Sequence, residues 1–431
     1  MPELLDVKLR AAAAFQKKDF GEALRLSCSI LRETPEDYES RLGVADCLYS
    51  LGHGDLAEDI YRKVGWYCIR AGHPLVAVVA AQLLESYGFE NEDLLSGLTF
   101  HYAKGSEFIS PGFATRIGLP SPDIQVTEIP SELGHQAAAI LGRDCADDVE
   151  FPEKVQPVPL LSLLGEDTLK RLLSTLNVRR LPDRYRFIEQ GKSGSSFYFV
   201  ATGEAVVSRE TGGENLVLAR VGGGAVVGEM ALVSARPRSA SATVSGQADV
   251  LEVSGKSLAA LADEMAPVAK ALSLFTEQRV LHNLLRHNHL FRPFDAAQRE
   301  QLLKRFTRHE INQGDRVISE GEPGHGLFVI VAGEFSVTKE VDQESTEVAS
   351  LGPGQIFGEI ALMRENLTVA TVTAVTPGVL LFLGRDVVAR LVEALPEFRE
   401  YLAALAEDRA LETQLSTSSS PQGDDDVIIL I

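Results

Sequence analysis

A fixed spacing ties the second half of the chain to the region before it. Glycines between residues 191 and 229 recur later in the chain, each the same number of positions further on. This constant spacing, the repeat offset, relates Gly191 to Gly321. The matched positions are Gly191 and Gly321, Gly194 and Gly324, Gly203 and Gly333, and the dipeptides Gly228-Glu229 and Gly358-Glu359. No net insertion separates them. Because unrelated turns would not keep one register, this spacing indicates that a single folding unit occurs twice.

Each copy has the pattern of a small all-β domain with flanking helices. Short runs of β-forming residues alternate with glycine turns, which predicts a jelly roll or barrel. In the first copy the expected strands are Asn177–Leu181, Arg186–Ile188, Ser196–Val200, Ala205–Val207 and Leu216–Val221. Helices are expected at Leu161–Leu176, at Lys256–Asn288 between the copies, and at Arg385–Leu411 after the second copy.

Residues 228–240 of the first copy combine a glycine, a carboxylate and an arginine. Gly228 lets the backbone approach a ligand closely, and the N–H groups that follow at a helix N-terminus suit an anion. Arg238 offers a planar fork that can bind two phosphate oxygens. Glu229 would repel phosphate, so we expect it to accept hydrogen bonds from sugar hydroxyls. Phosphate and sugar bound by one short segment predict a nucleotide ligand.

This segment resembles the phosphate-binding cassette of cyclic nucleotide-binding domains, such as those of the regulatory subunits of cAMP-dependent protein kinase and of the catabolite activator protein. The shared pattern is Gly-Glu, small apolar residues, then Pro-Arg and a small residue. The resemblance assigns Glu229 to the ribose 2′-hydroxyl and Arg238 to the cyclic phosphate. It implies further contacts from Gly228, Met230, Ala231, Ser239 and Ala240. The alternative is an ordinary β-turn-helix with a surface arginine.

The second copy keeps the carboxylate and loses the arginine. The residue equivalent to Arg238 is Thr368, and Leu367 replaces the proline before it. Arg364 lies nearby as a substitute cation, but it stands four residues earlier, beside Glu365. We therefore expect a structural domain or a degenerate, weak second site. That candidate site comprises Gly358, Glu359, Ile360, Ala361 and Thr368.

Residues 1–104 have the apolar spacing of helices, separated by short polar or glycine-containing breaks. Ala11 and Ala23 recur at one shared spacing as Ala45 and Ala57. The region therefore resembles tetratricopeptide repeats, with two hairpins over residues 5–71 and a more degenerate one over 74–104. The functional interpretation is a concave protein-binding surface. The alternative is a plain helical bundle used for docking or dimerisation.

The remaining segments are irregular. Residues 105–158 are rich in proline and predict a linker or an irregular strap, with a short helix at Glu132–Leu141. They lack the Arg-Arg-x-Ser/Ala inhibitory segment of kinase regulatory subunits, which argues against kinase control in that manner. Residues 411–431 predict a disordered acidic tail. Its apolar end, Val427–Ile431, would add as a strand to another sheet or to an edge of this protein.

Composition excludes several classes of function. A formal net charge of −20 disfavours nucleic acid as a partner. There is no signal peptide and no apolar run long enough to span a membrane, so we expect a cytoplasmic protein. The four cysteines and the histidines at 282, 287 and 289 match no metal pattern. No catalytic constellation, kinase signature or cyclase signature is evident, so we expect no enzyme activity, no metal and no cofactor.

The sequence therefore predicts an α+β multidomain protein with five parts. A tetratricopeptide-like helical region (1–104) and a linker (105–158) precede two β jelly-roll domains (159–287 and 288–410) and the tail (411–431). The expected function is a cyclic nucleotide sensor, with cAMP as ligand and cGMP also compatible, that relays binding to an unknown protein partner through the helical repeats. The alternatives are a ligand-independent scaffold and a transcription regulator of the catabolite-activator type.

Overall fold

The computed structural model describes residues 1–110, 115–131, 133–144, 149–211, 214–229, 237–255, 304–341, 344–363 and 367–416, with isolated residues between 266 and 302. The chain divides into two compact units. The first unit comprises Met1–Glu229 and Ala240–Leu272, and the second comprises Met230–Ser239 and Ser273–Ile431.

An array of helices opens the first unit. The helices within residues 1–110 are α1 (Leu4–Gln16), α2 (Phe20–Glu33), α3 (Tyr38–Ser50), α4 (Gly54–Ala71), α5 (Pro74–Ser86) and α6 (Glu92–Tyr102). Asp19 and Asp37 cap α2 and α3, because their carboxylates accept the N–H groups of Glu22 and Ser40 at 3.2 and 2.9 Å. The helical array is confirmed, whereas its tetratricopeptide-type pairing stays a prediction.

Three of the four cysteines lie inside this array. Cys28, Cys47 and Cys68 are buried and form no disulfide. Burial raises the pKa of the Cys28 thiol to about 12, so this thiol is not a reactive thiolate near neutral pH. Cys145 lies outside the described residues.

The proline-rich segment after α6 is an irregular strap packed on the array, which is one of the two structures expected for it. Its backbone pairs with the N-terminus of the chain: Leu4 N–H donates to Ile124 O at 2.7 Å, and Val126 N–H donates to Pro2 O at 2.9 Å. The strap contains helix α7 (His135–Arg143). The buried guanidinium of Arg41 donates to Gly142 O at 2.9 Å and so satisfies the C-terminal end of α7.

The first β-domain belongs to the same compact unit as the array. A 3-10 turn (Leu161–Leu163) and helix α8 (Glu166–Ser174) replace the single helix predicted for Leu161–Leu176, because Leu164 and Gly165 are extended. The strands described between residues 177 and 253 form one antiparallel six-stranded sheet. They are β1 (Asn177–Leu181), β2 (Arg186–Ile188), β3 (Phe197–Thr211), β4 (Glu214–Gly222), β5 (Val226–Val227) and β6 (Ser241–Val253).

Strand β3 joins two strands that were predicted separately, with Gly203 inside it. Gly203 has a φ of 74° and no room for a side chain, since a Cβ would lie 2.0 Å from Gln247 O. The pairing of β3 with β6 shifts register on both sides of Thr202. The strand therefore passes through the expected glycine turn as a bulge instead of ending there.

Side chains from the array reach the first β-domain at several points. Asp46 of α3 forms an ion pair with Arg180 of β1, and Tyr61 donates its hydroxyl hydrogen to the same carboxylate. Arg180 also lies 3.4 Å (Nε to Oδ1) from Asp249 of β6. Burial alone would lower the pKa of Arg180, but Asp249 and Asp46 raise it above its ordinary value. Gln82 of α5 donates to Leu173 O of α8 at 2.8 Å. The array therefore packs on the first β-domain.

The second unit contains the second β-domain. Its described strands are β7 (Thr307–Ile311), β8 (Arg316–Ile318), β9 (Gly326–Ala332), β10 (Phe335–Val341), β11 (Glu344–Leu351), β12 (Ile356–Phe357), β13 (Thr371–Ala374) and β14 (Gly378–Gly384). They form two antiparallel four-stranded sheets, in the orders β11-β10-β13-β8 and β12-β9-β14-β7. Strands β1, β2 and β5 recur with the same lengths, at the repeat offset, as β7, β8 and β12. The duplication in the sequence is therefore a duplication of structure.

Helices of the second domain cover one face of its β-structure. They are α9 (Glu359–Met363), α10 (Arg385–Ala394) and α11 (Pro396–Ser416). The single helix expected over Arg385–Leu411 divides at Leu395, which is extended and precedes a proline. Leu327 and Val329 of β9 pack with Phe398 and Leu402 of α11, whereas Ile330 belongs to the separate core between the sheets. The period of two in the sequence thus sorts side chains into two cores.

Several expectations fall on residues outside the described set. These are most of the helix at Lys256–Asn288, the histidines at 282, 287 and 289, Arg364, and the tail from Thr417 onward. Among the described residues, no helix is long and apolar enough to cross a membrane. Nor do these residues contain a cluster of histidine, cysteine and acidic side chains that could hold a metal ion.

Candidate functional site

Each copy turns sharply at a glycine just after a two-residue strand. Gly228 follows β5 with a φ of 89°, and Gly358 follows β12 with a φ of 95°. Both angles lie in the left-handed region, which glycine adopts without steric cost. A Cβ on Gly358 would lie 2.4 Å from Gly326 O. The glycine of the predicted cassette is therefore required by the backbone itself.

The two strands that lead into these glycines are held in the same way. In the first copy Tyr198 of β3 pairs with Val227, and in the second copy Phe328 of β9 pairs with Phe357. The repeat offset found for the glycines also relates these two pairs, because it carries 198 to 328 and 227 to 357. The chain therefore enters both cassettes in the same register.

The acidic residue after each glycine is buried. Glu229 and Glu359 are each 2% exposed. A carboxylate removed from water is costly unless donors or a cation satisfy it. Burial therefore indicates that each carboxylate has an internal role, and for Glu359 a partner is identified.

Arg409 of helix α11 holds one oxygen of Glu359. Its Nη1 lies 3.1 Å from Glu359 Oε1 and also donates to Ile356 O at 2.6 Å. The other oxygen, Oε2, is buried and has no hydrogen-bond partner among the residues that the structure describes. Arg409 thus balances the negative charge of Glu359 at Oε1, while Oε2 accepts no hydrogen bond from the described residues.

The position that carries the phosphate cation in the first cassette carries a hydroxyl in the second. Arg238 and Thr368 are both 8% exposed, so the equivalent positions are equally buried. The Thr368 hydroxyl donates to the carbonyls of Ser319 and Glu322, the latter at 3.1 Å, and it accepts the Glu322 N–H at 3.2 Å. Thr368 therefore ties the loop before β9 to the end of the cassette.

A second arginine holds α9, the helix that follows Gly358 in the second cassette. Arg385, the first residue of α10, donates to Gly324 O at 2.9 Å and to Ala361 O at 3.3 Å. The equivalent position in the first copy is Gly255 (255 to 385), which cannot make these bonds. The residue that makes this attachment in the second copy therefore has no arginine as its equivalent in the first copy.

The structure also locates the other predicted site residues. Ser239 is exposed and Ala240 is half-buried, directly before β6, while Ile360 and Ala361 lie in α9. Met230 and Ala231 are outside the described residues. Roles in ligand binding stay predictions for all of them.

Residues 178–265 and 308–394 each match the family model described as "Cyclic nucleotide-binding domain". The chain carries two cyclic nucleotide-binding domains.

Known relatives share this part of the chain. The cAMP-dependent protein kinase regulatory subunit of Yarrowia lipolytica is 29% identical over 235 residues, which are 54% of this chain and 58% of that protein. The cGMP-dependent protein kinase egl-4 of Caenorhabditis briggsae is 25% identical over 67% of this chain and 36% of its own length. The regulatory domain of Toxoplasma gondii PKA with cAMP is 24% identical, with a TM-score of 0.27 over 59% of this chain and 92% of that one. The chain thus covers about a third to three fifths of the length of these curated relatives.

Arg409, the arginine that contacts Glu359, was not among the site residues predicted from the sequence. Arg409 lies far along the chain from its partner, inside a helix predicted only as a flanking element. One signal was present, because the repeat offset pairs Arg409 with Arg279 (279 to 409), which lies outside the described residues. Extending the repeat comparison beyond the glycines would have identified both arginines as candidates.

Proposed function

We propose that this chain is a regulatory protein, not an enzyme, that binds cAMP at one site in its first cyclic nucleotide-binding domain. The observation that carries the proposal is the difference at two equally buried positions, where Arg238 stands in the first domain and Thr368 in the second. A cyclic phosphate needs a cation, and a guanidinium can bind two of its oxygens. In this proposal Glu229 supplies an acceptor for the ribose 2′-hydroxyl, and the remaining contacts are assigned to Gly228, Met230, Ala231, Ser239 and Ala240 of the same cassette sequence.

The choice of cAMP over cGMP rests on the relatives. The regulatory subunit from Yarrowia lipolytica is named for cAMP and the kinase from Caenorhabditis briggsae for cGMP, and the former has the higher identity. We propose cAMP as the preferred ligand and cGMP as a weaker one. No metal or cofactor takes part in this proposal.

The output is a change in the first compact unit that a protein partner detects. Strand β6 begins directly after Ala240 and carries Asp249, which lies beside Arg180 and so connects to Asp46 of the array. A ligand on the first cassette would favour one arrangement of this connected structure, and so shift a population of conformations.

The partner would bind the outer side of the array, since α1, α3 and α5 each approach the first β-domain. Phe100 of α6 is 60% exposed and offers apolar surface for a partner. The cytoplasm is the compartment we propose, with neither nucleic acid nor membrane as a partner.

Calorimetric titration of the full chain with cAMP and with cGMP tests the proposal. We expect saturable binding of cAMP, and weaker binding of cGMP. The absence of saturable binding of either nucleotide at millimolar concentration would refute it.

A further inference from the structure

The second domain contains a buried acceptor that the protein leaves unused. Glu359 is only 2% exposed, and its Oε2 has no hydrogen-bond partner within the described part of the chain. A buried, charged acceptor without a donor is unfavourable, since it has lost water and gained nothing in return. This atom is therefore where an incoming hydroxyl or N–H group would gain most.

The charge of Glu359 limits the kind of ligand that could supply this hydroxyl or N–H group. Arg409 already lies on Oε1, so the ligand need not be a cation to balance the carboxylate. An anion would be repelled by a carboxylate unless a separate cation held it. The ligand that fits best is uncharged and donates hydrogen bonds.

The described cations of this cassette are committed to other groups. Arg385 donates to the carbonyls of Gly324 and Ala361, and Arg409 to Ile356 O and Glu359. The Thr368 hydroxyl donates inside the domain, to Ser319 and Glu322. Among the described residues, a phosphate at this cassette would therefore meet no guanidinium in the place that Arg238 occupies in the first domain.

We propose that the second domain binds an uncharged ribose-containing ligand, a nucleoside, with its vicinal hydroxyls on Glu359. This inference rests on the proposed function of the first domain only in taking Glu229, and by the duplication Glu359, as the carboxylate that accepts sugar hydroxyls. The second site is then the first site without its phosphate cation. It is selective for the dephosphorylated form of a similar ligand.

The test uses the full chain with its first site disabled by Glu229→Gln and Arg238→Ala. This protein is titrated calorimetrically with adenosine, guanosine, D-ribose and cAMP. We expect one site for a nucleoside, with affinity at least tenfold higher than for cAMP, and at least tenfold higher than for free ribose because the base contributes. Equal binding of ribose and nucleosides would identify a sugar site, and so overturn the assignment to nucleosides.

The role of Glu359 is tested in the same protein. Glu359→Gln removes the charge and replaces one acceptor by a donor, and is expected to weaken nucleoside binding about tenfold or more. A 2′-deoxynucleoside should show a similar loss against unmodified Glu359. The matched control is Glu347→Gln, which changes the same charge at an exposed position of β11 and should leave binding unchanged.

The results separate this inference from the function of the first domain. If the parent protein binds cAMP but the double variant binds no nucleoside at millimolar concentration, this inference alone fails. If nucleosides bind the double variant but the parent does not bind cAMP, the proposal for the first domain fails instead. Tight cAMP binding to the double variant, as Arg364 would provide if it supplied the cation, would overturn the nucleoside assignment.

A second substitution keeps the test valid if Glu359→Gln does not fold. Thr368→Arg combined with Leu367→Pro rebuilds the first cassette's arginine in the second domain. In the double variant it should reverse the preference, so that cAMP binds more tightly than the nucleoside. An unchanged preference in folded protein, checked by circular dichroism, would contradict the inference.

Discussion

The two cyclic nucleotide-binding domains have the same framework but differ in where they place their charges. The lengths of three strands (β1, β2 and β5 against β7, β8 and β12), the glycine turns and the burial of the key carboxylate agree between them. The first has Arg180, Arg238 and Asp249 where the second has Glu310, Thr368 and Val379. The first domain thus uses charge to join the helical array, and under the proposed function also to bind its ligand. The second uses Arg385 and Arg409 to hold its own cassette. One fold therefore carries two different arrangements of charge.

The largest effect is expected from the ion cluster of Arg180 and Asp249 with Asp46, because the equivalents of Arg180 and Asp249 in the second copy are Glu310 and Val379. Arg180→Ala would leave Asp46 and Asp249 buried without their cation, which should lower the free energy of unfolding of the first unit by about 3–5 kcal/mol. Denaturant titration measures this effect. Arg184→Ala is the matched control, because its side chain is 90% exposed, and it should change stability little. A loss below about 1 kcal/mol in the Arg180 variant would show that the cluster does not hold the array on the domain.

The next largest effect concerns the ligand itself. Arg238→Ala should reduce affinity for cAMP by about 2–4 kcal/mol, a loss of roughly 30- to 1000-fold, because it removes a bidentate cation from the phosphate. Thr368→Ala, at the equivalent position, should leave cAMP affinity within about twofold. Calorimetry on both proteins compares the two cassettes directly. If folded Arg238→Ala protein binds cAMP as tightly as the parent, the first cassette is not the nucleotide site.

A smaller effect is expected where the second domain balances its carboxylate. Arg409→Ala leaves Glu359 buried and unpaired, which should destabilise the second domain by about 2–3 kcal/mol, less than for Arg180 because one carboxylate loses its cation instead of two. Thermal unfolding is the measurement, with Arg399→Ala as an exposed control on the same helix. Adding Glu359→Gln to the Arg409 variant should restore part of the loss. No recovery would mean that Arg409 stabilises the domain through Ile356 O and not through the carboxylate.

The smallest effect distinguishes the two ends of the ligand. Glu229→Gln keeps the shape and one acceptor, so cAMP affinity should fall by about 1–1.5 kcal/mol, roughly tenfold. The same substitution should have almost no effect on 2′-deoxy-cAMP, which lacks the hydroxyl that Glu229 accepts. An equal loss for both ligands would place Glu229 elsewhere than at the ribose.

Much of this fold could be predicted because the equal spacing of the glycines reveals the duplication. Positions such as Gly228 and Gly358 are fixed by backbone angles that other residues adopt at a cost, so their spacing survives and marks equivalent strands. Strand β3 was predicted as two pieces because a bulge at Gly203 depends on its partner strand, which local sequence does not reveal. The packing of the strap on the array depends on Arg41 and on backbone pairing far apart in the chain.

The sites were predictable to a similar degree. The substitution of Thr368 for arginine is visible from sequence alone. The bonds of its hydroxyl and the contact of Arg409 with Glu359 are not, because both depend on which distant segments pack against the cassette. The sequence thus shows that the second cassette lacks the arginine. The structure adds the contacts that Thr368 and Arg409 make there.

The number of cAMP sites per chain tests the central claim most directly. Equilibrium dialysis of the parent protein against labelled cAMP, at concentrations that saturate the tighter site, counts them. The difference between Arg238 and Thr368 predicts one site per chain. Two sites of equal affinity would contradict the account, because the second domain would then bind a cyclic phosphate without the arginine that distinguishes the first.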